Sequence, residues 1–179
     1  MMVSKNYMDK VLLNYGKLKM VPIQKRHIIP LYSTMSKENL FEAEAVYKID
    51  LMKTLIEQTD IPDVFIVEDE KEPLAIIGIQ GISAQQGLMW SMFSKNLKQN
   101  WRAFVKASPS LINYLHTHYH EIIVDTWMGN NKMVKWLDWL GFDMLGSYEN
   151  ENGFNIIHFV RCNPERNNVY AFPSRPVIH

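Results

Sequence analysis

The sequence predicts a mixed α/β domain, with about four helices flanking one mixed sheet of about seven strands. Three observations predict it. Short apolar, β-branched runs such as VFIV and LAIIGI are bounded by charged or glycine-containing turns. Other stretches repeat their apolar residues every three or four positions, the helical period. The two kinds interleave along the chain as strand, helices, three strands, helix, strand, helix and two strands.

KLKMVPI (17–23) is the first strand, after an N-terminal arm over residues 1–16. KRHIIPLYSTM follows with helical spacing at Ile29, Tyr32 and Met35, and Pro30 limits where that helix can start. LFEAEAVYKIDLMKTLIEQT holds helix formers throughout. Asp50 is placed to cap its last segment, with Leu51, Leu55 and Ile56 turned inward. VFIV and LAIIGI form two strands around EDEKEP, which is too polar to bury, and GLMWSMF is the next strand. From Leu97 the period becomes helical, with Leu97, Trp101, Phe104 and Val105 on one face. Ser108-Pro109 either kinks this helix or caps a new one, and Leu111, Leu115 and Tyr119 continue the apolar face. EIIVDTW is a strand, and DMLGSYENENGFNIIHFVRC is a hairpin turning at ENENG. The domain spans 17–162. The tail, 163–179, has no period and is expected to be irregular.

Composition narrows the function classes. The 179 residues are 47% apolar and 21% charged, suited to one domain with a real core. Basic and acidic residues balance at 19 each, against the broad cationic surface that nucleic-acid binding uses. No apolar run approaches the roughly 20 residues of a membrane span. The N-terminal apolar run is too short for a signal peptide, so the chain is expected not to be secreted. A single cysteine, Cys162, leaves no internal disulfide, which fits a reducing compartment.

The stretch NNKMVKWLDWLGF (130–142) carries the most specific pattern. Asn130 or Asn131 can cap a helix. Met133, Trp136, Leu137 and Leu140 form one apolar face. Gly141 suits the left-handed position after the helix, and Phe142 can fold back on the last turn. The order of strand, Asn, short helix, Gly-Phe and hairpin resembles the end of the GNAT superfamily of N-acetyltransferases, and the likeness covers roughly residues 17–161. A closer likeness is to a phage-encoded, GNAT-like group of uncharacterised, virion-associated proteins. It rests on Met35, Asn39 where that group has Asp, Glu42, Gly78, Trp90, and Asn130 through Trp136, Leu140, Gly141 and Phe142.

The resemblance implies a centrally splayed sheet and acyl transfer from acetyl-CoA or another acyl-CoA to an amine. It places the donor along Trp90, Met92, Phe93, Ser94, Lys95, Asn96 and Asn130. A pyrophosphate is held by amides at a helix N-terminus, an oxyanion needs a donor, and a base must take the amine proton. The family's Gly-containing pyrophosphate loop is replaced here by FSKNLKQNW, whose side chains crowd the backbone approach. Its usual Tyr acid falls at Leu137, which has no proton to give. Glu42 and Glu44 lie on the segment that lines the acceptor side and are candidate bases. His158 is a third, set opposite Ile157 and Phe159 by strand alternation. His116 and His120 have helical metal-ligand spacing but no third ligand, so no metal is expected.

Two functions follow. One is an N-acyltransferase-like protein of phage origin. The other is a non-catalytic phage protein (a virion component, an assembly factor or an inhibitor of a host protein) that uses the fold as a scaffold. The expected partner is an amine acceptor or a phage or host protein, and the expected location is the host cytoplasm or the virion.

Overall fold

The structure is a computed structural model and describes residues 13–166. One eight-stranded sheet runs in the order β1-β2-β3-β4-β5-β6-β8-β7. The strands are β1 Leu13–Tyr15, β2 Leu18–Pro22, β3 Val64–Asp69, β4 Glu72–Gly81, β5 Gln86–Phe93, β6 Glu121–Trp127, β7 Asp143–Glu149 and β8 Asn155–Cys162. All neighbours pair antiparallel except β5 and β6. The helices are α1 Lys25–Ser33, α2 Lys37–Phe41, α3 Leu51–Gln58, α4 Leu97–His116 and α5 Asn131–Trp139, and a π-helical turn, Glu42–Val46, extends α2.

The apolar periodicities build two cores, one on each sheet face. α4 and α5 cover one with Leu97, Phe104, Leu111, Leu115, Met133, Trp136 and Leu137. α1 and α3 cover the other with Ile28, Leu31, Leu51 and Leu55. The hairpin β3–β4 turns on Glu70 and Lys71, both at positive φ (46° and 76°), where a tight two-residue turn requires it. Asp50 caps α3 by accepting from the Lys53 amide at 3.1 Å.

Several expectations are corrected. There are eight strands, because Leu13–Tyr15, expected within the arm, pair with β2. Pro30 does not set the start of its helix. It sits inside α1, next to the two hydroxyls of Ser33 and Thr34, which donate to its carbonyl. Of the two readings of Ser108-Pro109, the cap of a new helix fails: α4 is continuous across it, with Pro109 inside the helix. Ser108 is buried, donates to the Phe104 carbonyl at 2.7 Å and accepts the Trp136 indole N–H at 3.0 Å. Ile56 faces solvent. His120 lies beyond the end of α4, so His116 and His120 do not share a helical face. Of the tail, 164–166 form one 3₁₀ turn, and 167–179, like arm residues 1–12, lie outside the described residues.

Candidate active site

The sheet opens between β5 and β6. These parallel strands pair only over Gln86–Leu88 and Glu121–Ile123. Beyond that, β5 stays on β4 through Phe93 and β6 stays on β8 through Trp127, so the two edges face each other unpaired. The Phe93 amide points into this gap. Backbone groups alternate in direction along a strand, which sends the amides of Met89 and Ser91 toward the same side.

One helical turn spans the mouth of the gap. Ser36 caps α2 and is tied to β5 through its amide, which donates to the Phe93 carbonyl at 2.9 Å. Asn39 then accepts the Phe93 amide on Oδ1 at 2.7 Å. Three residues on, and so on the same helical side, Glu42 reaches the other strand. Its carboxylate accepts from Thr126 Oγ1 at 3.0 Å, from the Trp127 amide at 2.8 Å and from Asn130 Nδ2 at 2.6 Å. Asn39 and Glu42 thus staple the two splayed edges together.

Inside the staple lies a cavity of about 390 Å³. Leu88, Met89, Val124 and Met133 give it apolar walls, and Asp125, Tyr148 and Tyr47 give it polar ones. Asp125 Oδ1 is 2.6 Å from His158 Nδ1, and Tyr148 donates to Asp125 Oδ2 at 3.3 Å. Burial pushes the Tyr47 phenol above its ordinary range, and the charge of Glu42 adds to this. Tyr148 is raised for the same first reason, with Asp125 second. Trp90, another wall residue, lies across its strand partner Gly78. A Cβ on that glycine would come within 2.4 Å of the indole.

Outside the staple is a groove of about 670 Å³. Lys37 of α2, Lys95 in the turn before α4, Lys98 in its first turn, and Lys132 and Lys135 of α5 line it, together with Trp101 and the single acid Glu38. Glu38 pairs with Lys132 at 3.5 Å. The helix amides at this end are already used. Lys95 donates to Thr34, Asn96 to Ser94 Oγ, Leu97 to the Ser94 carbonyl, Lys98 to Lys95 and Gln99 to Asn96.

Solved structures share this fold. A GNAT-family acetyltransferase from Bacillus anthracis superposes with a TM-score of 0.66 at 11% identity, covering 84% of this chain and 97% of that one. The fold is that of the GNAT acetyltransferases. A ribosomal-protein-S5-alanine acetyltransferase from Vibrio fischeri gives a TM-score of 0.64 at 17% identity, covering 86% and 97%. A microcin C7 self-immunity acetyltransferase, solved with acetyl-CoA and AMP, gives 0.61 at 9%, covering 83% and 93%. No protein-family model matches the chain, and no curated protein does. The likeness to a phage-encoded group finds no support in these comparisons.

On this GNAT scaffold the expected site residues separate into groups. Glu42 is in the staple, with three donors on its carboxylate. Glu44 is exposed on the π turn. His158 is half-buried against Asp125. Trp90 and Met92 line the inner cavity, while Phe93, Ser94, Lys95 and Asn130 line the outer groove. Asn96 donates its side-chain amide to Glu72 at 2.6 Å. Asn130 caps α5 through Oδ1 and binds Glu42 through Nδ2. Leu137 is fully buried and supplies only packing. Sequence reasoning missed Asp125, Tyr47, Tyr148 and every lysine of the groove wall except Lys95. The signal for Asp125 was present: it is the one charge inside the otherwise apolar IIVDTW.

Proposed function

We propose that the protein is an acyl-CoA-dependent N-acyltransferase whose donor lies in the outer groove and inner cavity. One observation carries the reading: β5 and β6 part after three paired residues and leave a cavity with unpaired backbone on its edge. The residues fit such a donor. Lysines suit a pyrophosphate, and the apolar cavity with its outward-facing Ser91 backbone suits an amide-bearing arm. When bound, a CoA thioester offers an acyl carbonyl to an amine, the C–N bond forming as C–S breaks and the electron pair leaves on sulfur.

The chain's own groups support the rest. Asp125 presents a carboxylate to the cavity and attracts an ammonium-bearing acceptor. His158, held on Asp125, takes the proton that the amine must lose, imidazole being the usual proton carrier near neutral pH. Leu137 supplies no acid. A thiol ionises near pH 8.5, so the thiolate leaves tolerably well without one, and the missing phenol costs rate rather than the reaction.

The second reading, a non-catalytic binding scaffold, is favoured by Glu42, whose lone pairs are engaged by three donors, and by the occupied amides of α4. The two are separated by measuring thiol release from acetyl-CoA with a panel of small amines and polyamines, alongside thermal melting with acetyl-CoA. The acyltransferase reading expects amine-dependent thiol release, stabilisation of about 2.7 kcal/mol at 100 times Kd, and a loss of roughly 100-fold in turnover in His158→Gln. Neither thiol release nor a melting shift would leave the scaffold reading in its place.

A further inference from the structure

We infer that the acceptor is an extended peptide with cationic side chains, which lies across an open sheet face of β6, β8 and β7 and brings its amine to Asp125. Delivery of the amine rests on the acyltransferase reading. The docking of the peptide does not.

Strand register defines the face. Cross-strand partners point to the same side of a sheet, and neighbours along a strand to opposite sides. Ile157 and Phe159 of β8 and Val124 of β6 point into the core beneath α4 and α5. The alternate residues point the other way. On β6 these are Glu121, Ile123 and Asp125, and their β8 partners are Cys162, Val160 and His158. Asp143 of β7 pairs with Val160 and so joins them. The helices of the second core, α1 and α3, do not reach this far. Among the described residues that core extends across the sheet only to Trp90 and Met92 of β5. Ile123 and Val160 are accordingly left partly exposed, and every residue of β7 is exposed.

Charge says what covers the face. It carries three carboxylates, Glu121, Asp125 and Asp143, and no lysine or arginine. Arg161, the one such cation on these three strands, pairs with Ile122 in register and so points to the opposite side, where it donates to the Leu140 carbonyl. Among the described residues, none of the three acids has a lysine or arginine within ion-pair distance. Gln86 donates to Glu121 at 2.7 Å but brings no charge. The Cys162 thiol lies in the same field: burial pushes it up, and the charges of Glu121 and Asp143 add to this. A second copy laid on this face would set carboxylate against carboxylate. A small amine would use only the concave end, where Asp125 lines the cavity.

An extended chain matches the rest. Glu121 and Asp125 are four residues apart on one strand, roughly 13 Å at about 3.3 Å per residue, with the apolar Ile123 between them. Side chains on one side of an extended peptide have the same spacing. A free amine at Asp125, an apolar side chain over Ile123 and a cation at Glu121 therefore follow from one another, and a further cation serves Asp143.

The test is calorimetric titration of the full chain, at low and at raised salt, with the peptide Ser-Ala-Val-Ala-Arg-Ala-Arg and its counterpart with glutamine for each arginine. Both have a free N-terminus, the only amine that can be acylated. Glu121→Gln/Asp143→Asn is compared with a remote pair, Glu57→Gln/Asp138→Asn. We expect saturable binding of the arginine peptide that weakens as salt rises. The glutamine peptide should bind at least about tenfold more weakly. The face variant should lose a similar factor for the arginine peptide, with KM raised and kcat held in thiol release, and the remote pair should match the parent. Equal affinity for the two peptides, which needs no variant to fold, overturns the inference. So does unaltered affinity in the face variant. A parent chain that binds neither peptide also overturns it, and a dimer seen by light scattering would then assign the face to a second copy. Charge-dependent peptide binding without any thiol release would remove the acyltransferase reading and leave the docking face standing. Thiol release from small amines without charge-dependent peptide binding would do the reverse.

Discussion

The inner cavity and the outer groove lie on either side of one helical turn and share a single wall residue, Asn39. Inside, apolar side chains surround the Asp125 carboxylate and the phenols of Tyr47 and Tyr148, and Asp125 in turn contacts Tyr148 and His158. Outside, five lysines line the groove, and only Lys132 among them is paired, with Glu38. The inner groups are held in place by strand register: Asp125 faces His158 as its β8 partner. The outer lysines are exposed and held by nothing comparable. Positioned groups suit bond-making, where misplacement costs rate. Flexible point charges suit capture of a charged ligand, where position matters less than sign. The same division predicts that perturbing the staple disturbs folding, while perturbing the groove disturbs only binding.

Glu42→Ala is the strongest way to break that contrast. It strands a hydroxyl, a backbone N–H and a carboxamide at the end of β6. Unsatisfied donors at part-buried sites cost on the order of 1–3 kcal/mol each before water re-enters. We expect a total near 3 kcal/mol, a fall in melting temperature of roughly 10 °C for a chain of this length, and loss of α5 capping order as Asn130 is released. Melting curves and amide exchange at Trp127 and Asn130 provide the check. A variant that melts like the parent would mean that the staple is incidental and that Glu42 is available for another role.

Gly78→Ala sharpens the contrast with a smaller effect. The new methyl would lie 2.4 Å from the Trp90 ring, closer than side chains approach, and the indole would have to shift toward the inner cavity that it lines. Overpacking of this kind costs about 2 kcal/mol, or roughly 5 °C. Acetyl-CoA affinity should fall while pyrophosphate affinity stays at the parent value, because Trp90 is no part of the outer groove. Equal losses for both ligands would show that the two spaces act as one.

Much of the fold was legible because it is local. Apolar period fixes the strands and helices, the Asp50 cap needs only the Lys53 amide three residues on, and Gly141 takes its positive φ of 76° at the end of a nine-residue helix. Pro30 misled because packing held a helix through a position that an isolated chain would break. The short strand Leu13–Tyr15 needed a partner, β2, to exist at all. The site was harder to read. The Glu42 contacts cross 84 to 88 residues of chain. The five groove lysines come from positions 37, 95, 98, 132 and 135, which form no motif until the fold gathers them. The resemblance pointed to the region of Asn39, Glu42 and Asn130, but pairwise geometry assigns them to one another, and nothing in their spacing says so.

The smallest expected effect is at Glu44, and it decides how specific the staple is. Glu42 and Glu44 stand on the same π turn, two residues apart and so on different sides of it. One is bound by three donors. The other is exposed on the surface of the turn. A carboxylate in that setting contributes within about 0.5 kcal/mol, so Glu44→Gln should move the melting temperature by no more than 1 or 2 °C, as expected for roughly that energy, and should leave thiol release from acetyl-CoA unchanged. Glu42→Gln, with an amide NH₂ thrust among three donors, should melt several degrees lower. A tenfold loss of turnover in Glu44→Gln at an unchanged melting temperature would move the proton acceptor out of the Asp125–His158 pair and onto the exposed side of the turn. The inner cavity would then be a binding space, and its ordered carboxylate and imidazole would serve the sheet rather than the reaction.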